Sequence, residues 1–267
     1  MNIKHYYKKT ANVYLNISLF SLLISGGVFF FALFFLTKRE IWVSTTPFML
    51  LSCLYFANYV VYTRRFESLP DELDTSKSNL LEEENILMTF MPAPTLRVLL
   101  FTPKGKLVGE ICDYHSEWYH WLIPNSLSAI LPHTYVLKDQ NQRTLATYKL
   151  SSFMQNSMSI FNESEELIAH YKENWKKSFF RFNGEVINAD GCVRMNINIS
   201  GFLQSFTISS IDNRNLVSFQ KGWMNLEWGE KFKELNTPIL SFTSVSTNED
   251  KLCIYGICAR LLNHRKN

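Results

Sequence analysis

Cys112, Asp113, His115, Glu117 and His120 fall within nine residues, and each is a side-chain type that ligates metal ions. Four such groups converging tetrahedrally would hold Zn²⁺. No second cluster at matched spacing follows, and an extended backbone sends neighbouring side chains to opposite faces, so no metal is expected. Trp118, Tyr119, Trp121 and Leu122 interleave with the same stretch. Amphipathic aromatics of this kind suit the headgroup level of a membrane; they equally suit the core or lid of a folded domain. Lys172, Trp175, Lys176, Lys177 and Arg181 mix basic and aromatic residues within ten positions. Lysine ammonium groups pair with phosphates as point charges, and each contributes about 1 kcal/mol beside an anionic leaflet. Lysines guarding a strand edge would have the same composition.

Glu166 and His170 are four apart, but their surroundings read as strand. Cys253 and Cys258 are five apart on an apolar segment, which suits packing rather than a shared ligand face. Gly-x-Ser-x-Gly, phosphate-cradling glycine loops, Cys-x-x-Cys and His-Glu-x-x-His are all absent. No enzymatic activity and no cofactor are expected. Five scattered cysteines, one inside an apolar run, read as free thiols in a reducing compartment. A net charge of +3 over 267 residues gives no case for a nucleic-acid partner.

The elements that position these residues begin with two apolar runs. Residues 1–12 form a basic segment, and Val13 to Leu36 carry no charge over 24 positions. As a helix this run is roughly 36 Å long, enough to cross a hydrocarbon core of about 30 Å. It is too long for a signal peptide, and no small-residue cleavage site follows it. Ile41 to Thr63 are again uncharged, with Trp42 at one end and Tyr59 and Tyr62 near the other. Only Thr37 to Glu40 separate the runs, so an antiparallel membrane hairpin is expected. Lys4, Lys8, Lys9, Arg64 and Arg65 flank its outer ends against Lys38 and Arg39 in the turn, which places both termini in the cytoplasm of a cell membrane. Ser21, Ser25, Gly26 and Gly27, with Cys53 and Ala57, are expected where the helices touch. Asn58 is expected to bond across the hairpin or to a backbone carbonyl.

Residues 64–85 carry seven acids against Lys77, counted from Phe66, and read as a solvated tether. From residue 86 the pattern changes to period two. Arg97–Phe101, Thr-Pro-Lys-Gly and Lys106–Ile111 form a strand, a turn and a strand. The same unit recurs around Asp139-Gln-Asn-Gln-Arg, Asn162-Glu-Ser-Glu-Glu, Ala189-Asp-Gly and Asp212-Asn-Arg-Asn. Five successive hairpins predict a barrel or a two-sheet sandwich. Leu252 to Leu262 are apolar on almost every side, preceded by Asn248, Glu249 and Asp250 as cap and first-turn acids. Such a helix must be buried, and it is too short to span a bilayer. A final buried strand is the alternative, and Gly256 interrupts the helical pattern.

The units "RVLLFTPKGKLVGEI", "TYVLKDQNQRTLATYKL", "SMSIFNESEELIAHYKE" and "SFTISSIDNRNLVSFQKGW", closed by "KLCIYGICARLL", resemble the tubby C-terminal-like superfamily. That superfamily includes the LURP-one-related proteins and the phospholipid scramblases. The resemblance covers residues 86–267. It implies a closed β-barrel of twelve strands around a buried C-terminal α-helix, here behind two transmembrane α-helices. It places the chain beside small bacterial proteins of unclear function. It also implies lipid binding, with an anionic phospholipid headgroup as the expected ligand. From their types and spacing alone, not from any motif position of the family, Lys172, Trp175, Lys176, Lys177 and Arg181 are candidate contacts and Trp118, Tyr119 and Trp121 candidate interface aromatics. A non-enzymatic binding module for lipid or an unknown protein partner at the inner leaflet is the favoured expectation. Lipid scrambling is the alternative.

Overall fold

The structure, a computed structural model, describes residues 1–70, 78–93, 95–114, 133–151, 157–174, 181–200, 204–222, 224–234 and 236–266. The chain divides into two compact units, Met1–Leu73 and Asp74–Asn267.

The first unit is a helical hairpin of α1 (Ile3–Phe35) and α2 (Lys38–Glu67). The Asn2 side chain accepts from the His5 amide and caps α1. Glu40 accepts from the Thr37 amide and starts α2. Both helices are long and apolar enough to cross a membrane. Phe20, Leu23, Phe30, Phe34, Val43, Leu50 and Leu54 lie exposed on their outer faces. The middle of the contact between the helices is polar. Ser18 Oγ donates to the Ser52 carbonyl and Ser52 Oγ to the Ser18 carbonyl, both at 2.9 Å. Ser21, Ser25 and Thr45 continue the buried seam.

This corrects part of the expected contact. Cys53 and Ala57 face outward, as do Gly26 and Gly27, which have nothing within 4 Å of an added Cβ. The three- and four-residue spacing of Ser18, Ser21 and Ser25 already covers the seam, leaving Gly26 one position and Gly27 two positions past it. Asn58 donates to the Leu54 carbonyl of its own helix at 3.2 Å.

The second unit is a closed barrel of twelve strands. They are β1 (Asn85–Phe90), β2 (Arg97–Phe101), β3 (Leu107–Asp113), β4 (Thr134–Asp139), β5 (Thr144–Leu150) and β6 (Ser157–Asn162). The other half is β7 (Leu167–Glu173), β8 (Arg181–Asn188), β9 (Val193–Ser200), β10 (Ser205–Ser210), β11 (Asn215–Lys221) and β12 (Pro238–Phe242). Each strand pairs antiparallel with its sequence neighbours, and β1 closes on β12 through Asn85↔Ser241 to Leu87↔Ile239. A short helix α3 (Leu226–Gly229) lies between β11 and β12. The last element, α4 (Asn248–Lys266), fills the lumen: Leu252, Cys253, Ile254, Tyr255, Ile257, Cys258, Ala259, Leu261 and Leu262 are all buried. Burial on every side explains why its sequence has no polar face. Inward Ile86, Val98, Leu137, Ile160, Val186, Met195 and Leu240 meet it from the wall.

Gly256, an obstacle to helix in the sequence, is a packing device. The Tyr148 ring lies where a side chain at Gly256 would be, and the Tyr148 hydroxyl donates to the Leu252 carbonyl at 2.9 Å. Thr247 caps α4 where Asn248 was expected to: its Oγ1 accepts from the Asp250 amide, and Asp250 Oδ2 accepts from the Thr247 amide at 2.9 Å.

The five expected turns share one construction. In each, the first residue's amide bonds to the fifth residue's carbonyl, and the fourth residue's amide returns to the first carbonyl. The fourth residue is left-handed in every case: Gly105, Gln142, Glu165, Gly191 and Asn213. Each hairpin carries a register shift just before its turn, the signature of a bulged three-residue connection. A left-handed non-glycine residue costs about 1–2 kcal/mol. Glu165→Gly is therefore expected to stabilise the barrel by about 0.5–1 kcal/mol after glycine's entropy loss. Gly191→Val should destabilise it by about 1–2 kcal/mol. Thermal unfolding of the two variants checks both signs.

The ends of the acidic stretch are folded rather than tethering. α2 continues to Glu67, and Leu80 is buried in the barrel core. Lys251 Nζ donates to the Leu81 and Glu83 carbonyls at 2.6 and 3.1 Å.

Candidate functional site

The five matching turns occupy one end of the barrel, and α4 enters there. Arg194, beside the turn before β9, donates to Asp250 Oδ1 at 2.6 Å, to Glu249 at 2.7 Å and to Thr247 Oγ1 at 3.0 Å. Chemistry concentrates at the opposite end, where odd-numbered strands finish and α4 leaves. Arg260 of α4 reaches Glu173 at 3.5 Å, and that carboxylate is 4% exposed. His133 Nδ1 lies 3.2 Å from the buried Asp113 carboxylate. The His133 ring stacks parallel on Tyr135 at 5.8 Å.

Burial pushes the Tyr135 and Tyr171 hydroxyls far above their ordinary pKa. Asp113 adds to the shift at Tyr135 and Glu173 adds to it at Tyr171, while Arg260 opposes both. Both phenols are therefore fixed donors rather than bases. Among the described residues the buried Tyr171 hydroxyl has no hydrogen-bond partner. Tyr171 folds over Gly184, where an added Cβ would lie 2.5 Å from the ring.

Next to this cluster is a cavity of about 470 Å³ spanning β7, β8 and β9. Its lining is Lys172, Glu173, Asn174, Asn183, Gly184, Glu185, Asn196 and Ile197. It begins where the barrel wall weakens. β9 and β10 pair only at Ser209↔Asn196 and Ser210↔Met195. Beyond Asn196, β9 continues on β8 as far as Ser200, without β10.

Among the expected contacts, Lys172 is exposed on β7 at the rim of this cavity, opposite Glu185. β7 pairs with β6 and β8, so Lys172 itself guards no strand edge. Trp175, Lys176 and Lys177 lie outside the described residues, as do Trp118, Tyr119 and Trp121. Arg181 opens β8, and its side chain is likewise outside the description. β3 and β7 end at the same side of the barrel, at Asp113 and Glu173.

The metal-type residues divide: Asp113 is buried beside His133, Cys112 is half-buried, and His115, Glu117 and His120 are not described. Among the described residues no three such side chains converge. Burial pushes the Cys253 and Cys258 thiols up to about 12, which makes them packing groups.

Glu173, Tyr171 and Arg260 were not singled out together by the sequence. Their signal was present: an inward glutamate interrupts the alternation of β7, and Arg260 interrupts an apolar helix.

Glu110 sits on the outer wall, 4% exposed, held by the Arg97 fork at 2.8 and 3.2 Å and by Gln142 Nε2 at 3.1 Å. Burial raises its carboxyl pKa, and the hydrogen bonds and charge of Arg97 more than cancel that, leaving it below the ordinary value. A depressed folded pKa contributes stability that is present above the unfolded value of about 4.3 and lost as pH falls through the folded value. Acid titration of barrel stability is expected to fall below about pH 4, and Glu110→Gln should flatten that limb.

No protein-family model matches this chain, and no curated protein matches it. It is similar to the X-ray structure of a protein from Arabidopsis thaliana, with 11% identity over 68% of this chain and 90% of that one, at a TM-score of 0.42.

Proposed function

We propose that the protein is a membrane-anchored, non-enzymatic binding module of the tubby C-terminal-like type, contacting anionic lipid or a protein partner at the inner leaflet. The observation that carries this is the filled lumen. α4 is buried on every side within a closed wall, so among the described residues the lumen is filled by side chains rather than left as a chamber for a substrate. What remains for recognition is the outer surface and the end where α4 leaves. Two helices of membrane length on the same chain keep that surface near a bilayer. The excess of basic residues at the hairpin's outer ends favours the cytoplasmic side.

The lipid version is tested by flotation of residues 78–267 with vesicles of phosphatidylglycerol in phosphatidylcholine. Binding that weakens with salt is the expected result. Absence of binding at every salt concentration removes the lipid ligand and leaves the protein partner. Full-length protein reconstituted with a fluorescent lipid is expected to show no scrambling above empty vesicles.

A further inference from the structure

We propose that the open edge of β10, Ser205 to Ile208, binds an extended peptide of a partner protein as an added antiparallel strand. The inference deepens the protein-partner version of the proposed function and rests on it, but not on contact with lipid. Among the described residues, β9 and β10 pair only at Ser209↔Asn196 and Ser210↔Met195, the shortest ladder in the wall. The same register would go on to pair Thr207 with Asn198 and Ser205 with Ser200, and neither pair forms. Both strands nevertheless run on. β10 stays on β11 as far as Ser205↔Gln220, and β9 stays on β8 as far as Arg181↔Ser200.

Backbone direction decides the ligand's chemistry. The Gln204 carbonyl accepts from the Lys221 amide at 2.8 Å, so it faces β11. Alternation along an antiparallel strand then turns the amides and carbonyls of Ser205 and Thr207 the other way, into the open seam. Among the described residues nothing bonds to these groups, and both residues are exposed. A row of N–H and C=O groups at strand spacing is matched by another extended backbone, whose main-chain hydrogen bonds supply the affinity. The side chains set which peptide fits. Ser205 to Ser210 carry no charge, so nothing on β10 calls for a charged guest. Phe206 stacks on Phe219 at 4.5 Å and packs against the core, yet it is only half-buried. In the added pair it takes the closely spaced position between two hydrogen-bonded ones, where an apolar guest residue covers the rest of the ring. A hollow of about 420 Å³ over β10 and β11, lined in part by Ser205, Thr207, Ser218 and Gln220, leaves room for polar guest side chains. The partner therefore offers an uncharged strand that alternates polar and apolar residues. A second copy fits less well, because a closed barrel brings only this same seam, with its own β9 beside it.

The test uses full-length protein in detergent and a labelled peptide of alternating threonine and valine, made soluble by a polyethylene-glycol tail. Hydrogen exchange read by NMR is expected to be at least about tenfold faster at the Ser205 and Thr207 amides than at those of Phe206 and Ile208. Bound peptide should slow the first two at least about tenfold. Fluorescence anisotropy should show saturable binding. Valines facing Phe206 leave the threonine amides to bond, so methylating the threonine amides should abolish binding and methylating the valine amides should spare it. Thr207→Pro should weaken binding at least about tenfold while the unfolding temperature holds, since the amide it removes faces no strand. Equal protection of all four amides in the free protein, no saturable binding, or binding indifferent to both threonine methylation and Thr207→Pro overturns the inference. So does dimerisation without peptide that Thr207→Pro reverses, which would assign the edge to a second copy. If the peptide fails while the barrel still floats with anionic vesicles, the edge assignment falls and the binding module stands.

Discussion

Gly256→Leu is expected to cost the barrel at least about 3 kcal/mol, because the position has no room for a side chain. An added Cβ would lie 2.7 Å from two carbons of the Tyr148 ring and 3.1 Å from the Met158 methyl. That ring cannot retreat. It is fully buried, and its hydroxyl is tied to the Leu252 carbonyl one turn earlier on the same helix. Gly256→Ala gains about 1 kcal/mol of helix propensity yet should still lose stability, since overpacking of this kind costs about 1–3 kcal/mol. For a domain of this size each kcal/mol moves the unfolding temperature by about 2–4 °C. The leucine variant should therefore melt more than about 6 °C lower. Tyr148→Leu in the Gly256→Ala background should recover part of the alanine loss. An unchanged melting temperature in Gly256→Leu would mean that α4 is not seated against Tyr148.

Arg194→Met is expected to destabilise by about 3 kcal/mol. Its guanidinium bonds to Asp250, Glu249 and Thr247 at the mouth where α4 enters. Asp250 is 6% exposed, so removing the cation strands a buried carboxylate. The helix N-terminus and the Thr247 amide still hold that carboxylate, which keeps the loss at the lower end of what such a break costs. Arg194→Met combined with Asp250→Asn should be more stable than Arg194→Met alone, because the charge is then gone. Denaturant unfolding of the single and double variants measures the coupling. Additive losses would show that the pair contributes nothing specific.

The wall of the barrel was legible because its turns are chemically explicit. Thr102, Asp139, Asn162, Asn188 and Ser210 start the five turns, and each is followed three residues later by a left-handed position. The period-two segments between them place apolar residues inward. The plug helix was legible from the absence of any polar face, while Gly256 argued against it. Its reason is a contact with Tyr148, more than a hundred residues away, and no local pattern reports such a contact. The hairpin's seam was half legible: Ser21 and Ser25 were identified but Ser18, Ser52 and Thr45 were not, because which small residues face the partner depends on helix phase. The candidate cavity was least legible. Asn183 and Asn196 are ordinary outward strand residues until β8 and β9 bring them together, and only Lys172 among the expected contacts borders it.

The order of elements along the chain sets a constraint on assembly. All twelve strands precede the segment they enclose, and the seam between first and last strand joins residues some 156 apart. During synthesis the strands emerge first, yet a wall sealed early would shut out its own filling. The seam must therefore stay open, or reopen, until residues 248–266 have been made and seated. A nascent or truncated chain lacking them would expose the oily inner faces of its hairpins to water, and those are the species that chaperones and proteases are expected to recognise.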